Sequence, residues 1–173
     1  MAQANDIEGL LYREAIDLVL APQPLAGGVR AVLGAIARLL GADCCAFYLL
    51  DQRTEDLVLL ALAGDPRGVP SRQRVGQGIT GLAAYQRRPI HVAHVQQDPR
   101  SRPAAGQPIP YKGVTAVPVQ EAGQLVGVLT LHHREVQQPC QAELGVVQEV
   151  LPRLLLTTIR AAQTEECLRQ RTS

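Results

Sequence analysis

Aromatic residues are scarce in this chain: its 173 residues include one Phe, four Tyr and no Trp. Proteins that bind single-stranded nucleic acid stack the bases on aromatic rings, so this scarcity counts against that class. Lys and Arg number 17 against 16 Asp and Glu, and no long element carries a basic stripe. The electrostatic footprint of a nucleic-acid-binding protein is therefore missing as well, and we expect no nucleic-acid partner.

Long apolar runs are also lacking. No stretch reaches the roughly 18 apolar residues that a membrane-spanning helix needs. Charged residues interrupt the first 20 positions, which excludes the apolar segment typical of a signal peptide. We therefore expect a cytoplasmic protein that has no membrane partner.

Cysteine and histidine do not form a metal-binding pattern. The four cysteines, at positions 44, 45, 140 and 167, contain no C-x-x-C spacing. Adjacent residues of a strand point to opposite faces, so Cys44 and Cys45 cannot share a metal, and the same holds for His132 and His133. We expect buried cysteines, one exposed thiol near the end of the chain, surface or hydrogen-bonded histidines, and no metal site.

Hydrophobic periodicity predicts helices at both ends of the chain. Apolar residues at helical spacing predict one helix over residues 6–20 and a second over 25–40. A long helix over 140–168 is predicted in the same way, with a kink at Pro152 because proline has no N–H. The apolar faces of residues 6–20 and 140–168 are wider than one sheet can cover, which favours dimerisation.

The middle of the chain has the short apolar runs of strands, separated by polar turns. The predicted strands cover residues 44–50, 57–63, 90–95, 113–119 and 124–132. A short helix is predicted over 82–86, after a glycine-rich turn, and loops over 64–74 and 96–110. This order predicts an α+β domain in which helices gather on one face of an antiparallel sheet.

Five sequence motifs in this order resemble one known family. They are Gly41-Ala-Asp43 before a strand ending at Asp51, Gly76-Gln-Gly-Ile-Thr-Gly81, Arg88-Pro-Ile-His91, Gln97-Asp-Pro-Arg100, and Gly113–Val119 together with Gly127–Leu131. In these features the chain resembles GAF domains over residues 25–163. We expect an N-terminal helix and linker over 1–24, the GAF domain over 25–163 and a helical extension over 164–173.

The resemblance implies an antiparallel sheet of five to six strands, with the N- and C-terminal helices on one face and a pocket on the other. Members bind varied small molecules, so the ligand and any cofactor stay unknown. The resemblance places Ala46, Tyr48, Thr115 and Val117 in the pocket, with Tyr111 in the loop before the late strand.

The glycine turn is interpreted from its own chemistry. Three glycines allow unusual backbone angles and close backbone approach, and a helix start presents N–H groups without partners. Gly78, Ile79 and Thr80 therefore form either a simple turn or a ligand contact that favours anions. Asp98 and Arg100 either face the pocket mouth or order their own loop.

Two functions remain open at this stage. One is a sensory domain that binds a small molecule and transmits the change through its terminal helices, as a homodimer, to a downstream domain or protein. The other is a ligand-free dimerisation scaffold with a vestigial pocket. One family branch reduces free methionine sulfoxide with cysteines in the glycine turn and in the loop before the late strand. Because this turn carries Thr80 and residues 96–112 lack cysteine, we expect no enzyme.

Overall fold

The computed structural model describes residues 25–101, 109–136 and 145–171. The helix predicted over 6–20 lies outside these residues. The helices are α1 (Leu25–Leu40), α2 (Gly78–Gln86) and α3 (Leu151–Arg171). The strands are β1 (Cys44–Asp51), β2 (Asp56–Gly64), β3 (Arg72–Arg74), β4 (Ile90–Val92), β5 (Gly113–Glu121) and β6 (Gln124–His133).

All strand pairs are antiparallel, and the six strands form one curled sheet in the order β3-β2-β1-β6-β5-β4. The predicted α+β class and antiparallel sheet are confirmed. The three-residue strand β3 was not predicted, because Arg72 and Arg74 give a polar pattern typical of a loop. Helix α2 begins at Gly78 rather than near residue 82, because its first turn is made of the glycine-rich motif itself.

The side chains of β1 alternate between two hydrophobic clusters. Cys45 and Phe47 face α1 and α3, whereas Ala46 and Tyr48 face α2. The cluster on the helical face also contains Val29, Val32, Leu33, Ile36, Leu129, Leu151, Leu154 and Leu155. Fully burying one such aliphatic side chain stabilises the fold by about 1.5–3 kcal/mol. The helical face therefore carries most of the apolar packing.

The helix that ends the described chain changes geometry at Pro152. Residues Val146–Val150 form a π-helical turn directly before α3. Pro152 has no N–H to donate to the carbonyl four residues earlier, so the preceding turn widens. A wide turn therefore lies directly before Pro152, where the kink is predicted, and Val147, Val150 and Leu151 are buried there.

The glycine turn before α2 has two separate steric requirements. Gly78 has a φ of +67°, a backbone conformation that other residues adopt only with strain. Gly81 has an ordinary helical backbone, but a Cβ there would lie 2.3 Å from the carbonyl oxygen of Arg74. The N–H of Gly76 also donates to the carbonyl of Gly81 at 2.8 Å. The turn therefore folds tightly against the first residues of α2.

We predict opposite effects of alanine at two helical glycines. Gly81→Ala should destabilise the protein by about 1–3 kcal/mol, because the added methyl group meets fixed backbone. Gly145→Ala, where nothing lies within 4 Å of the added Cβ, should stabilise it by about 0.5–1 kcal/mol. Urea unfolding of both variants measures the free energies, and a stabilised Gly81→Ala would contradict the close approach.

Candidate functional site

A cavity of about 60 Å³ lies on the α2 side of the sheet. One water molecule needs about 10–15 Å³ by this measure, so the cavity has room for a few small groups. Its wall is formed by Gly68, Pro70, Gln73, Gly78, Ile79, Thr80, Val95, Ser101, Ile109, Val114 and His132. No Asp, Glu, Lys or Arg occurs among these described lining residues.

The start of α2 supplies hydrogen-bond donors to this wall. The first N–H groups of a helix have no acceptor within the helix, and the Gln77 side chain does not cap them. Gly78, Ile79 and Thr80, the residues predicted from the glycine turn, carry these N–H groups and line the cavity. The helix dipole adds a partial positive charge at the same place.

His132 forms part of the wall from β6 and was not among the predicted site residues. Its side chain is 8% exposed, and its ring lies 4.9 Å from the Tyr111 ring between centroids. Burial lowers the pKa of His132 to about 4, helped by the neighbouring His133, so the imidazole is neutral at neutral pH. Its Nε2 lies 3.0 Å from Thr130 Oγ1, so the expectation of a hydrogen-bonded histidine describes this residue, whereas its place on the cavity wall was not predicted.

Two predicted site residues, Tyr48 and Tyr111, hold the segment beside the cavity. The Tyr48 hydroxyl donates to the carbonyl of Pro70 at 2.9 Å, and the Tyr111 hydroxyl donates to the carbonyl of Asp65. Burial raises the pKa of both phenols, so they remain protonated donors. These hydroxyls therefore position the segment that contributes Gly68 and Pro70 to the wall.

Asp65 connects that segment to the rest of the sheet. Its carboxylate accepts from Arg67 at 2.6 Å and from Arg134 at 2.5 Å. Hydrogen bonds from Arg67, followed by those from Arg134, lower the pKa of Asp65 well below its usual range. Arg134 follows β6 directly, so this ion pair links the end of β2 to the end of β6.

Asp98 and Arg100 contact each other outside the cavity. The Arg100 guanidinium donates to Asp98 at 2.5 Å, and the Arg100 N–H donates to the same carboxylate at 2.9 Å. The Arg100 side chain lowers the pKa of Asp98. Of the two alternatives for this pair, the geometry matches a motif that orders its own loop, next to the lining residue Ser101.

Thr115 and Val117 lie on the opposite face of the sheet from the cavity, which corrects the predicted facing. Val117 packs in the cluster with α1 and α3, and Thr115 Oγ1 lies 2.8 Å from Nδ1 of His91. The side chain that reaches the cavity from β5 is Val114, one position away. The family resemblance does not determine which alternate residues of β5 face the cavity, because this depends on the pairing of β5 with β6.

Ala46 is fully buried in the cluster beneath α2, beside the cavity rather than on its wall. Cys44 and Cys45 are buried and Cys167 is exposed, as expected, while residue 140 lies outside the described part. Burial raises the pKa of the Cys44 thiol to about 11, so it is not a thiolate at neutral pH. In the described ranges, no three His, Cys, Asp or Glu residues form a group that could hold a metal ion.

His132 should make stability depend on pH. An unfolded histidine has a pKa near 6.5 and the folded one about 4, so the unfolded state binds more protons between these values. Stability should therefore be complete above about pH 6.5 and fall on acidification toward pH 4, by up to about 3 kcal/mol. Urea midpoints over this range measure the effect.

His132→Gln should flatten that pH dependence, whereas His94→Gln, at an exposed histidine, serves as the control and should retain it. An unchanged slope in His132→Gln would assign the pH dependence to another group.

Comparison with known proteins identifies the family. The family model described as GAF domain matches residues 25–152. No curated protein matches this chain. None of the helices that the structure describes combines the length and apolar character needed to cross a membrane.

Several solved structures share the fold. The GAF domain of a phosphoenolpyruvate-protein phosphotransferase from Coxiella burnetii is 24% identical, with a TM-score of 0.77 over 95% of this chain and 98% of that one. The corresponding domain from Acinetobacter is 17% identical, with a TM-score of 0.74 over 94% and 97%. A free methionine-R-sulfoxide reductase from Neisseria meningitidis is 19% identical, with a TM-score of 0.77 over 94% and 93%.

The expectation that this chain is not an enzyme was wrong. A reductase matches its architecture as well as a domain from a phosphotransferase does, with the same TM-score. The absence of cysteine from the turn and from residues 96–112 bears on one reaction, and it cannot exclude catalysis from a fold that enzymes share.

The confirmed architecture is an antiparallel sheet with helices on one face and a small cavity on the other. Together with the family match over most of its length, it shows that this chain belongs to the GAF domain family of sensory and regulatory domains.

Proposed function

We propose that this domain binds a small molecule in the cavity beside α2 and passes the change to its terminal helices. The observation that carries the proposal is the wall itself, because the first residues of α2, Gly78, Ile79 and Thr80, line the same cavity as the buried residue His132. Polar groups without partners are costly when buried, and a ligand that pairs with them removes this cost.

The sheet offers a direct route from ligand to helices. Val114 lines the cavity, and Val117 of the same strand packs against α1 and α3. Likewise, His132 lies on the cavity side of β6, while Leu129 and Leu131 pack on the helical side. A ligand that displaces either strand therefore acts on the packing of both helices, provided that it binds one arrangement more tightly.

The partner proposed for the helices is a second copy of this chain, with a downstream domain or protein as the receiver. Helix α1 presents small, half-buried residues, including Ala26, Gly27, Ala31 and Gly34. Half-buried Leu156 lies on α3, which packs beside α1. Helices with such surfaces associate closely in bundles.

The alternative is a dimerisation scaffold whose pocket is vestigial. The small volume of the cavity favours it, because pockets that bind drug-sized ligands are typically several hundred cubic ångströms. The two functions differ in whether a small molecule stabilises the protein.

Ligand binding is tested by thermal unfolding against a library of small polar metabolites, together with native mass spectrometry of the freshly purified protein. We expect at least one compound to raise Tm in wild type, since a ligand at 100 times its Kd adds about 2.7 kcal/mol of stability. The same compound should have little effect on Val114→Met, in which the longer side chain fills the cavity.

Thr157→Met, on the exposed face of α3, is the control for the added side chain and should respond as wild type does. A library without any active compound, and no retained mass, would favour the scaffold. An equal response in Val114→Met would place the ligand elsewhere.

The dimer is tested with a pair of adjacent substitutions on α3. Leu156→Glu should shift the protein to monomer in analytical ultracentrifugation, because a carboxylate cannot be buried in an apolar helix interface without a partner. Thr157→Glu adds the same charge at an exposed position and should leave the dimer intact. A wild-type protein that sediments as a monomer would refute this assembly.

A further inference from the structure

The turn between β5 and β6 is a tight connection at one end of these two strands. Glu121 and Gln124 form the last pair of the hairpin. The two residues between them, Ala122 and Gly123, have φ of +48° and +78°. Positive φ at both central positions is the geometry that joins two antiparallel strands through only two residues. The ends of β5 and β6 are therefore held together at this turn.

The C-terminal end of α2 is hydrogen-bonded to this turn. Arg87 directly follows α2, and its guanidinium donates to the carbonyl of Gly123 at 2.9 Å. In the other direction, the Gln120 side chain donates to the carbonyl of Arg87 at 3.4 Å. Helix α2 has nine residues and so spans about 13 Å. A displacement of Gly78 at the cavity therefore moves the other end of a short helix that is bonded to the turn.

The same turn contacts α3 on the opposite face of the sheet. Glu121 accepts a hydrogen bond from the guanidinium of Arg160, which lies on α3. Adjacent residues of a strand point to opposite faces, so Gln120 reaches α2 and Glu121 reaches α3. The contacts form one continuous path around the end of the sheet, from Arg87 through the turn to Arg160.

Building on the proposed function, we infer that the β5–β6 turn couples α2 to α3 and carries a change at the cavity to the C-terminal helix. The bonds at Arg87 fix the turn to the helix that lines the cavity, and Glu121 fixes it to the helix on the other face. Coupling between two sites is a free energy, so it is measurable without a ligand.

A double-mutant cycle in urea measures this coupling through Arg87→Ala, Arg160→Ala and the double variant. Loss of the Arg87 bond loosens the turn and with it the geometry of the ion pair. Arg160→Ala should therefore raise the unfolding constant roughly two- to threefold less in the Arg87→Ala protein than in wild type. The control pairs Arg160→Ala with Arg88→Ala, because the neighbouring Arg88 bonds to Gln86 rather than to the turn. In this control cycle the two effects should simply multiply.

Salt and Glu121 identify the ion pair as the link. Salt at about 1 M screens exposed charges, so the coupling between Arg87 and Arg160 should fall toward none there. Glu121→Ala removes the acceptor and should abolish the coupling at low salt as well. Amide NMR gives a second measurement: Arg87→Ala should shift the amides around Arg160, whereas Arg88→Ala should leave them in place.

The outcomes separate this inference from the proposed function, because none of these measurements uses a ligand. Effects of Arg87→Ala and Arg160→Ala that multiply at low salt would overturn the coupling and leave the cavity in place. Coupling that persists in Glu121→Ala would assign it to the strands and overturn the role of the turn. Should the double variant not fold, unshifted amides around Arg160 in folded Arg87→Ala would overturn the inference.

Discussion

The pairing of β1 with both of its neighbours divides the molecule into two unlike halves. Hydrogen bonds to β2 and β6 hold β1 in register, so Phe47 faces α1 and α3 while Tyr48 faces α2 on the cavity side of the sheet. A slip of one residue would exchange these faces. Tyr48 would then lose its bond to Pro70, and the helices would lose a central aromatic side chain. The cavity and the helical core therefore depend on the same register.

The sequence predicts the elements better than it predicts the site. Helix α1 matches its predicted range, and the central hairpin and the late hairpin were predicted within a few residues, because their apolar periodicity is strong. The prediction that Thr115 and Val117 face the cavity was wrong. Both faces of β5 are apolar, so the alternation of its side chains does not show which face the cavity lies on. His132 was missed for a related reason: nothing near it in the sequence shows that the Tyr111 ring packs against its ring.

A shared fold leaves the chemistry of this site open. A reductase and a domain from a phosphotransferase match the same backbone equally well, so backbone geometry does not distinguish catalysis from regulation. The described side chains around the cavity carry that distinction. They comprise two tyrosines engaged in holding one segment and a neutral imidazole on the wall, and the buried thiol of Cys44 is protonated. This combination supports the proposed binding of a small molecule.

The borders of the sheet are formed by β3 and β4, each three residues long. Arg72 and Arg74 occupy β3 and pair with Asp56 of the neighbouring strand. Short strands and charged side chains give an incoming strand little to bond to, which protects such sheets from edge-to-edge aggregation. The domain can therefore be linked to others in a longer chain, or held at high local concentration, without its sheet joining theirs.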